Sequence, residues 1–283
     1  MAINSHRQPN QSNQKQYKHK LFIIFIYSFN IFQPPPFTIM YAHHQEPVVQ
    51  GYDMILFYFL SFFGFYVGVD ALMGKKYEGK YYFIHGINNA FIVYLTYNDL
   101  VSTFTDFNTV LTSSINILPS IITFSLHTYH TFVYHHKFKF DDWLHHILMG
   151  ATLLIAHQFH TGRLINYSLF FTTGLPGMID YFLLFFVKNN KIDTIVEKKM
   201  NNWINLWIRC PGCTSHAVLT LLVYNIYNKT ILISDFERFG YIFTAAITYW
   251  NGIYFMNKVI ISYNNAINNS ITNVRTPQEK NKI

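Results

Sequence analysis

The stretch FDDWLHHILMGATLLIAHQF, residues 140–159, sets two carboxylates, a tryptophan and a histidine pair at the mouth of an apolar run. Charged and imidazole groups are costly beside hydrocarbon, so their presence there calls for a specific contact or a chemical role. The run itself, Trp143–Phe159, approaches the roughly 20 mostly apolar residues that cross a bilayer. Working outward, comparable runs cover Met54–Leu72, Tyr82–Phe104, Ile115–Tyr134, Leu164–Val187, Thr214–Ile231 and Gly240–Val259.

Composition agrees with this pattern. Of the 283 residues 51% are hydrophobic and 19% aromatic, and only 12% are charged. Soluble domains carry about 25% charged residues. The mean hydropathy of +0.13 is held down by the Asn, Tyr and His that sit between and inside the runs. The expected fold is all-α: a polytopic transmembrane helical bundle of about seven to eight spans.

The net charge of +7 does not form the basic stripe that marks a nucleic-acid partner, and none is expected. Basic residues cluster instead in alternate connections: Lys75, Lys76 and Lys80, then Lys137 and Lys139, then the segment 188–209, then Lys258 and the tail. Arg163, Lys229 and Arg238 fall on the other side. The positive-inside rule makes the richer side cytoplasmic. A shorter run, Leu21–Phe32, follows Lys15, Lys18 and Lys20 and precedes the prolines at 34–36; it reads as a signal-peptide core, a signal anchor or an eighth span.

These signals divide the chain into 1–53, a polar segment with one short hydrophobic run; 54–79, a first full span and its loop; 80–259, the main membrane domain; and 260–283, a polar Asn-rich tail expected to be disordered. Within the main domain GLPG at 174–177 should kink or break its helix, because Pro176 removes a backbone donor. The connection 188–209, with Ile195, Val196, Trp203, Leu206 and Trp207 among lysines, reads as an amphipathic helix on the membrane surface.

Topology then gives depth. His85, His127, His130, His145, His146 and Asp180, from four helices, all fall toward the cytoplasmic side. Intramembrane ionisable groups default to a functional site. Histidine takes and gives protons near neutrality, and a carboxylate can hold its tautomer. His145, His146 and Asp180 are therefore the candidate catalytic residues, with His85, His127, His130 and Asp142 in support. Against this, a membrane histidine also serves as a helix–helix hydrogen bonder, and Asp141 and Asp142 suit the first turn of a helix. HTYHTFVYHH at 127–136 lacks the repeated boxes of a membrane metal centre, and no metal ligand set is assigned. CPGC at 210–213 lacks a redox-fold context and reads as a turn.

Three ordered blocks carry a resemblance: YYFIHGINNAFIVYLTYNDL (81–100), LHTYHTFVYHHKFKFDDWLHHILM (126–149) and NYSLFFTTGLPGMIDYFLLFFVK (166–188). They resemble the TLC-domain family, which includes ceramide synthases and translocon-associated membrane proteins. The resemblance implies a six-helix core around a polar cavity, in the endoplasmic reticulum or a related internal membrane. It would make His145–His146 the base for acyl transfer, with acyl-CoA as co-substrate and no tightly bound cofactor. Arg163 and Lys188 match family positions; Thr172 and Thr173 stand where the synthases carry His-Asp. The implied function is lipid handling with acyl transfer from acyl-CoA. The alternative is a non-enzymatic chaperone, cargo receptor or regulator of membrane lipid. Partners are membrane lipids, with membrane proteins or a second copy as further ones.

Overall fold

The chain builds helices wherever an apolar run is long enough, and punctuates them with Gly, Pro and Asp. A computed structural model describes residues 51–159, 161–230 and 233–280. The run 21–32, the prolines after it and His160 lie outside the described residues. Eight helices occupy the described residues: α1 (Tyr52–Met73), α2 (Lys80–Thr105), α3 (Phe107–Thr112), α4 (Leu118–Tyr134), α5 (Phe140–Ala156), α6 (Leu164–Lys188), α7 (Thr194–Thr230) and α8 (Asp235–Lys280). No strand occurs among them, so the all-α expectation holds. Of these, α1, α6 and α7 are long and apolar enough to cross a membrane. All described residues belong to one compact unit.

Local chemistry explains the boundaries. The Asp106 carboxylate caps α3 by accepting the Thr109 N–H at 3.1 Å. The Thr109 hydroxyl and N–H hold that carboxyl below its ordinary range. α4 starts with a proline in its first turn. At the start of α5 the Asp142 carboxylate accepts the Lys139 N–H at 2.8 Å, so this acid is a cap. Between α5 and α6, Gly162 adopts φ +57°, and an added Cβ there would lie 2.2 Å from the Val110 carbonyl oxygen.

Two prolines shape the long helices. Pro176 has no N–H for the carbonyl four residues back, that of Thr172. The helix does not break at GLPG; a π-turn at Phe170–Gly174 absorbs the misfit and α6 continues. The freed Thr172 carbonyl accepts a hydrogen bond from Arg209 Nη2 on α7. Pro211 produces a second π-turn, Asn205–Arg209, and α7 runs straight through CPGC without turning. The segment 194–209 is thus the first half of α7. In the tail 260–283, where disorder was expected, α8 continues as helix to Lys280; no Gly or Pro interrupts that stretch before Pro277.

Beside a buried hydrophobic core, many large apolar side chains lie on the surface and several polar ones lie inside. Leu56, Phe57 and Leu60 on α1, Trp203 and Trp207 on α7, and Phe236 and Phe239 on α8 are exposed. Asn88, Asn89, Asp99, Asn166, Glu197, Asn201, Asn205 and His216 are buried. Hydrocarbon favours this arrangement, since it solvates apolar side chains and leaves polar groups to pair inside. Close approaches tighten the interior. A Cβ at Gly212 of α7 would meet the Phe171 ring of α6 at 2.1 Å, and one at Gly177 would meet Asn89 Nδ2 at 2.4 Å.

At the end of the bundle away from the histidines, Asp99 accepts from Asn166 Nδ2 at 2.7 Å and from Arg163 Nη1 at 3.4 Å. Arg163 Nε also reaches the Ser114 carbonyl, and Asn166 Nδ2 the Asn116 carbonyl. This knot ties α2, α6 and the segment before α4 together. It accounts for Arg163 structurally, far along α6 from Asp180.

Candidate functional site

Helix α4 presents His127 and His130 one turn apart, and α5 presents His145 and His146 from its second turn. The two adjacent histidines point about 100° apart, and each finds a different partner. His127 Nε2 lies 3.3 Å from His145 Nε2. His130 Nδ1 lies 3.2 Å from His146 Nε2. His85 on α2 completes the group, its ring 5.0 Å from that of His130 and 4.7 Å from that of Tyr181. Three helices thus bring together all five histidines that the sequence placed at one depth.

Taking each imidazole as neutral, the bonding assigns the protons. A carbonyl oxygen only accepts, so His127 Nδ1–H donates to Thr123 O at 2.7 Å and His85 Nδ1–H to Tyr81 O at 2.9 Å. The bare His127 Nε2 must then accept from His145 Nε2–H, which leaves Nδ1 of His145 bare. On the other branch the Thr131 hydroxyl donates to the His127 carbonyl at 2.8 Å. Its lone pairs therefore accept His146 Nδ1–H at 3.1 Å. The bare His146 Nε2 accepts from His130 Nδ1–H, and Nε2 of His130 is bare. Every contact is met with five neutral imidazoles.

Two cavities border the cluster. One is a narrow slot of about 80 Å³ between α5, α6 and α8. Leu144, Leu148, Met149, Leu153, Leu169 and Ile247 make its walls apolar, and His145, Thr172, Thr173 and Asn251 add polar groups. On α5 it extends from Asp141 to Leu153, about 18 Å of helix. At its mouth Asp141 accepts from Tyr254 at 2.9 Å and from Lys258, a latch between α5 and α8. The Lys258 ammonium and then the Tyr254 hydroxyl hold the Asp141 carboxyl below its ordinary range.

The second cavity, about 670 Å³, is the more polar of the two. Lys80, Lys137 and Lys188 line it with Tyr77, Tyr81, Tyr82, Tyr134 and Tyr181, and His130, Asp142 and Asp180 face it. His145 and His130 border different spaces, and His146 lies between them.

The other expected residues occupy distinct places. Among the described residues no hydrogen bond joins Asp180 to an imidazole, and its Oδ1 has no hydrogen-bond partner. Its neighbour Tyr181 is what touches His85. Asp142 caps α5 and faces the polar cavity. His135 and His136 sit exposed in a short 3₁₀ turn. His157, at the far end of α5, pairs with Ser120 Oγ at 2.9 Å. Among the described residues no group of three or more His, Cys, Asp or Glu is arranged to hold a metal ion.

Sequence reasoning passed over Thr131, Tyr81 and Tyr181, which hold or pack against the imidazoles. It also passed over a buried ladder on α7. Asn201 Nδ2 donates to Glu197 Oε1 at 3.4 Å, Asn205 Nδ2 donates to Asn201, and Arg209 continues the row toward Thr172 and the Phe255 ring. The four-residue spacing of Glu197, Asn201, Asn205 and Arg209 was the available signal. Comparison of the chain with family models, curated proteins and solved structures gives no match.

Proposed function

We propose that this is a multi-pass membrane protein of seven to eight spans that handles lipid, with a TLC-like six-helix core and residence in the endoplasmic reticulum or a related internal membrane. The reaction we assign is acyl transfer from acyl-CoA. One observation carries the reading: an imidazole cluster stands between an apolar slot and a cavity lined by lysines and tyrosines. An acyl chain matches the slot. Lysines and aromatic rings match the phosphates and base of a phosphorylated carrier. A thioester carbonyl beside the imidazoles would meet a general base there. Membrane lipid supplies the acceptor, and the carrier leaves through the polar cavity. In this reading His145, which lines the slot, is the catalytic histidine, His146 supports the cluster beside it, and Asp180 shapes the polar cavity without bonding to an imidazole.

A second reading is favoured by a different observation: the imidazoles hydrogen-bond mainly to one another and to backbone carbonyls. A structural polar core of that kind suits a membrane chaperone, a cargo receptor or a regulator of membrane lipid, acting with protein partners or a second copy. Lipid analysis of membranes holding matched amounts of wild type, His145→Asn and Asp180→Asn separates the two. Acyl transfer requires a lipid class that changes with wild type and not with His145→Asn. Identical lipids in all three, with protein abundance unchanged, would overturn it in favour of the non-enzymatic role.

A further inference from the structure

The five histidines do not form one equivalent set. The pairs His127–His145 and His130–His146 are each within hydrogen-bond distance, at 3.3 and 3.2 Å. No hydrogen bond joins the two pairs imidazole to imidazole among the described residues. His145 borders the apolar slot, and His130 borders the polar cavity. His146 is held from both sides, by Thr131 and by His130.

We infer that four of the five histidines form two separate proton-sharing dyads, and that the base serving the slot is the His127–His145 dyad, with His127 and not His146 as the partner of His145. The chemistry rests on the acyl-transfer reading; the division into dyads does not. An acceptor hydroxyl or amine in the slot gives its proton to His145 Nδ1, the nitrogen left free by the bond to His127. His145 Nε2–H then moves onto His127 Nε2, whose other nitrogen stays anchored on the Thr123 carbonyl. The acceptor forms its bond to the acyl carbon, and the thioester C–S bond breaks. The stored proton returns through His145 to the thiolate, so the dyad ends in its starting state and a free thiol leaves. His127 is a positioning residue that holds a proton without touching substrate. His146 fixes the orientation of His130 at the other cavity.

The arrangement is tested with full-length protein in lipid nanodiscs carrying ¹⁵N-labelled imidazoles. In the wild type His145 should be the Nε2–H tautomer and His127 the Nδ1–H tautomer. His127→Phe should shift the His145 nitrogens toward a mixture of tautomers and leave His130 and His146 unmoved. Thr131→Val should release the tautomer of His146 and leave His145 unmoved. A wild-type His145 carrying its proton on Nδ1 overturns the proposal, as does a common response of all four histidines to either substitution. If transfer is measured as well, His127→Phe should lower kcat by about 10²-fold while KM stays within about twofold. Tautomers as expected with no transfer in any sample would defeat the acyl-transfer reading and leave the dyads standing.

Discussion

The two ends of the bundle use buried polar groups in opposite ways. In the Asp99–Arg163–Asn166 knot a carboxylate is matched by a guanidinium and an amide, which also reach nearby carbonyls, while Asn166 Oδ1 has no hydrogen-bond partner. At the histidine end the groups also pair, but His145 and His130 each line a cavity. A network of charge-matched pairs rigidifies; one that lines open space can exchange protons with a ligand. Removing a knot residue should therefore cost stability, and removing a histidine should cost chemistry.

The largest stability effect belongs to the knot. Asp99→Ala strands the Arg163 charge, and a loss of about 3 kcal/mol is expected, at the low end for a buried pair because Arg163 is partly exposed. Detergent-phase thermal unfolding measures it; a loss under about 1 kcal/mol would mean that this end is not the rigid one. Next comes Gly162→Ala, which forces a side chain into the left-handed region and against the Val110 carbonyl. About 2 kcal/mol is expected by the same assay. Thr131→Val removes two hydrogen bonds at the histidine end, to the His127 carbonyl and to His146, and should cost about 1.5 kcal/mol. A cost as large as that of Asp99→Ala would erase the contrast between the ends.

The smallest effect concerns the latch at the slot mouth. Asp141 titrates below the ordinary carboxylate range, so its bond to Lys258 is complete at neutral pH and above. It is lost only as pH falls through that lowered value, below about 3.9. The separation of spin labels on α5 and α8 should stay constant from pH 8 to 5 and broaden only in stronger acid. Broadening near pH 6 would contradict this assignment.

Much of this was legible in residue order and spacing. The common depth of His85, His127, His130, His145 and His146 followed from alternating spans and lysine clusters, and the helices do bring those side chains together. Pairing was not legible. Which imidazole meets which depends on the approach of α4 and α5, and sequence spacing within each helix does not report it. Adjacent histidines on a helix point about 100° apart, and these two have different partners.

The α7 ladder was misread for a different reason. Its tryptophans and isoleucines among lysines suggested a helix lying on a surface, because polar faces usually meet water. Here Trp203 and Trp207 face outward, and Glu197, Asn201 and Asn205 face in. Pro176 suggested a kink or a break and Pro211 a turn; a π-turn lies before each proline, and both helices continue. Arg209 then takes up the Thr172 carbonyl that Pro176 releases, a contact between helices that no local rule foretells.

The most direct test of the central claim is transfer of a radiolabelled acyl group from acyl-CoA to lipid by purified protein in nanodiscs, with wild type compared with His145→Asn. The account predicts labelled lipid and free CoA thiol from wild type. It predicts at least about 10²-fold less from His145→Asn, whose unfolding midpoint should stay within a few degrees of wild type. Equal transfer by both proteins, or its absence from both in every extract of membrane lipid, would contradict it.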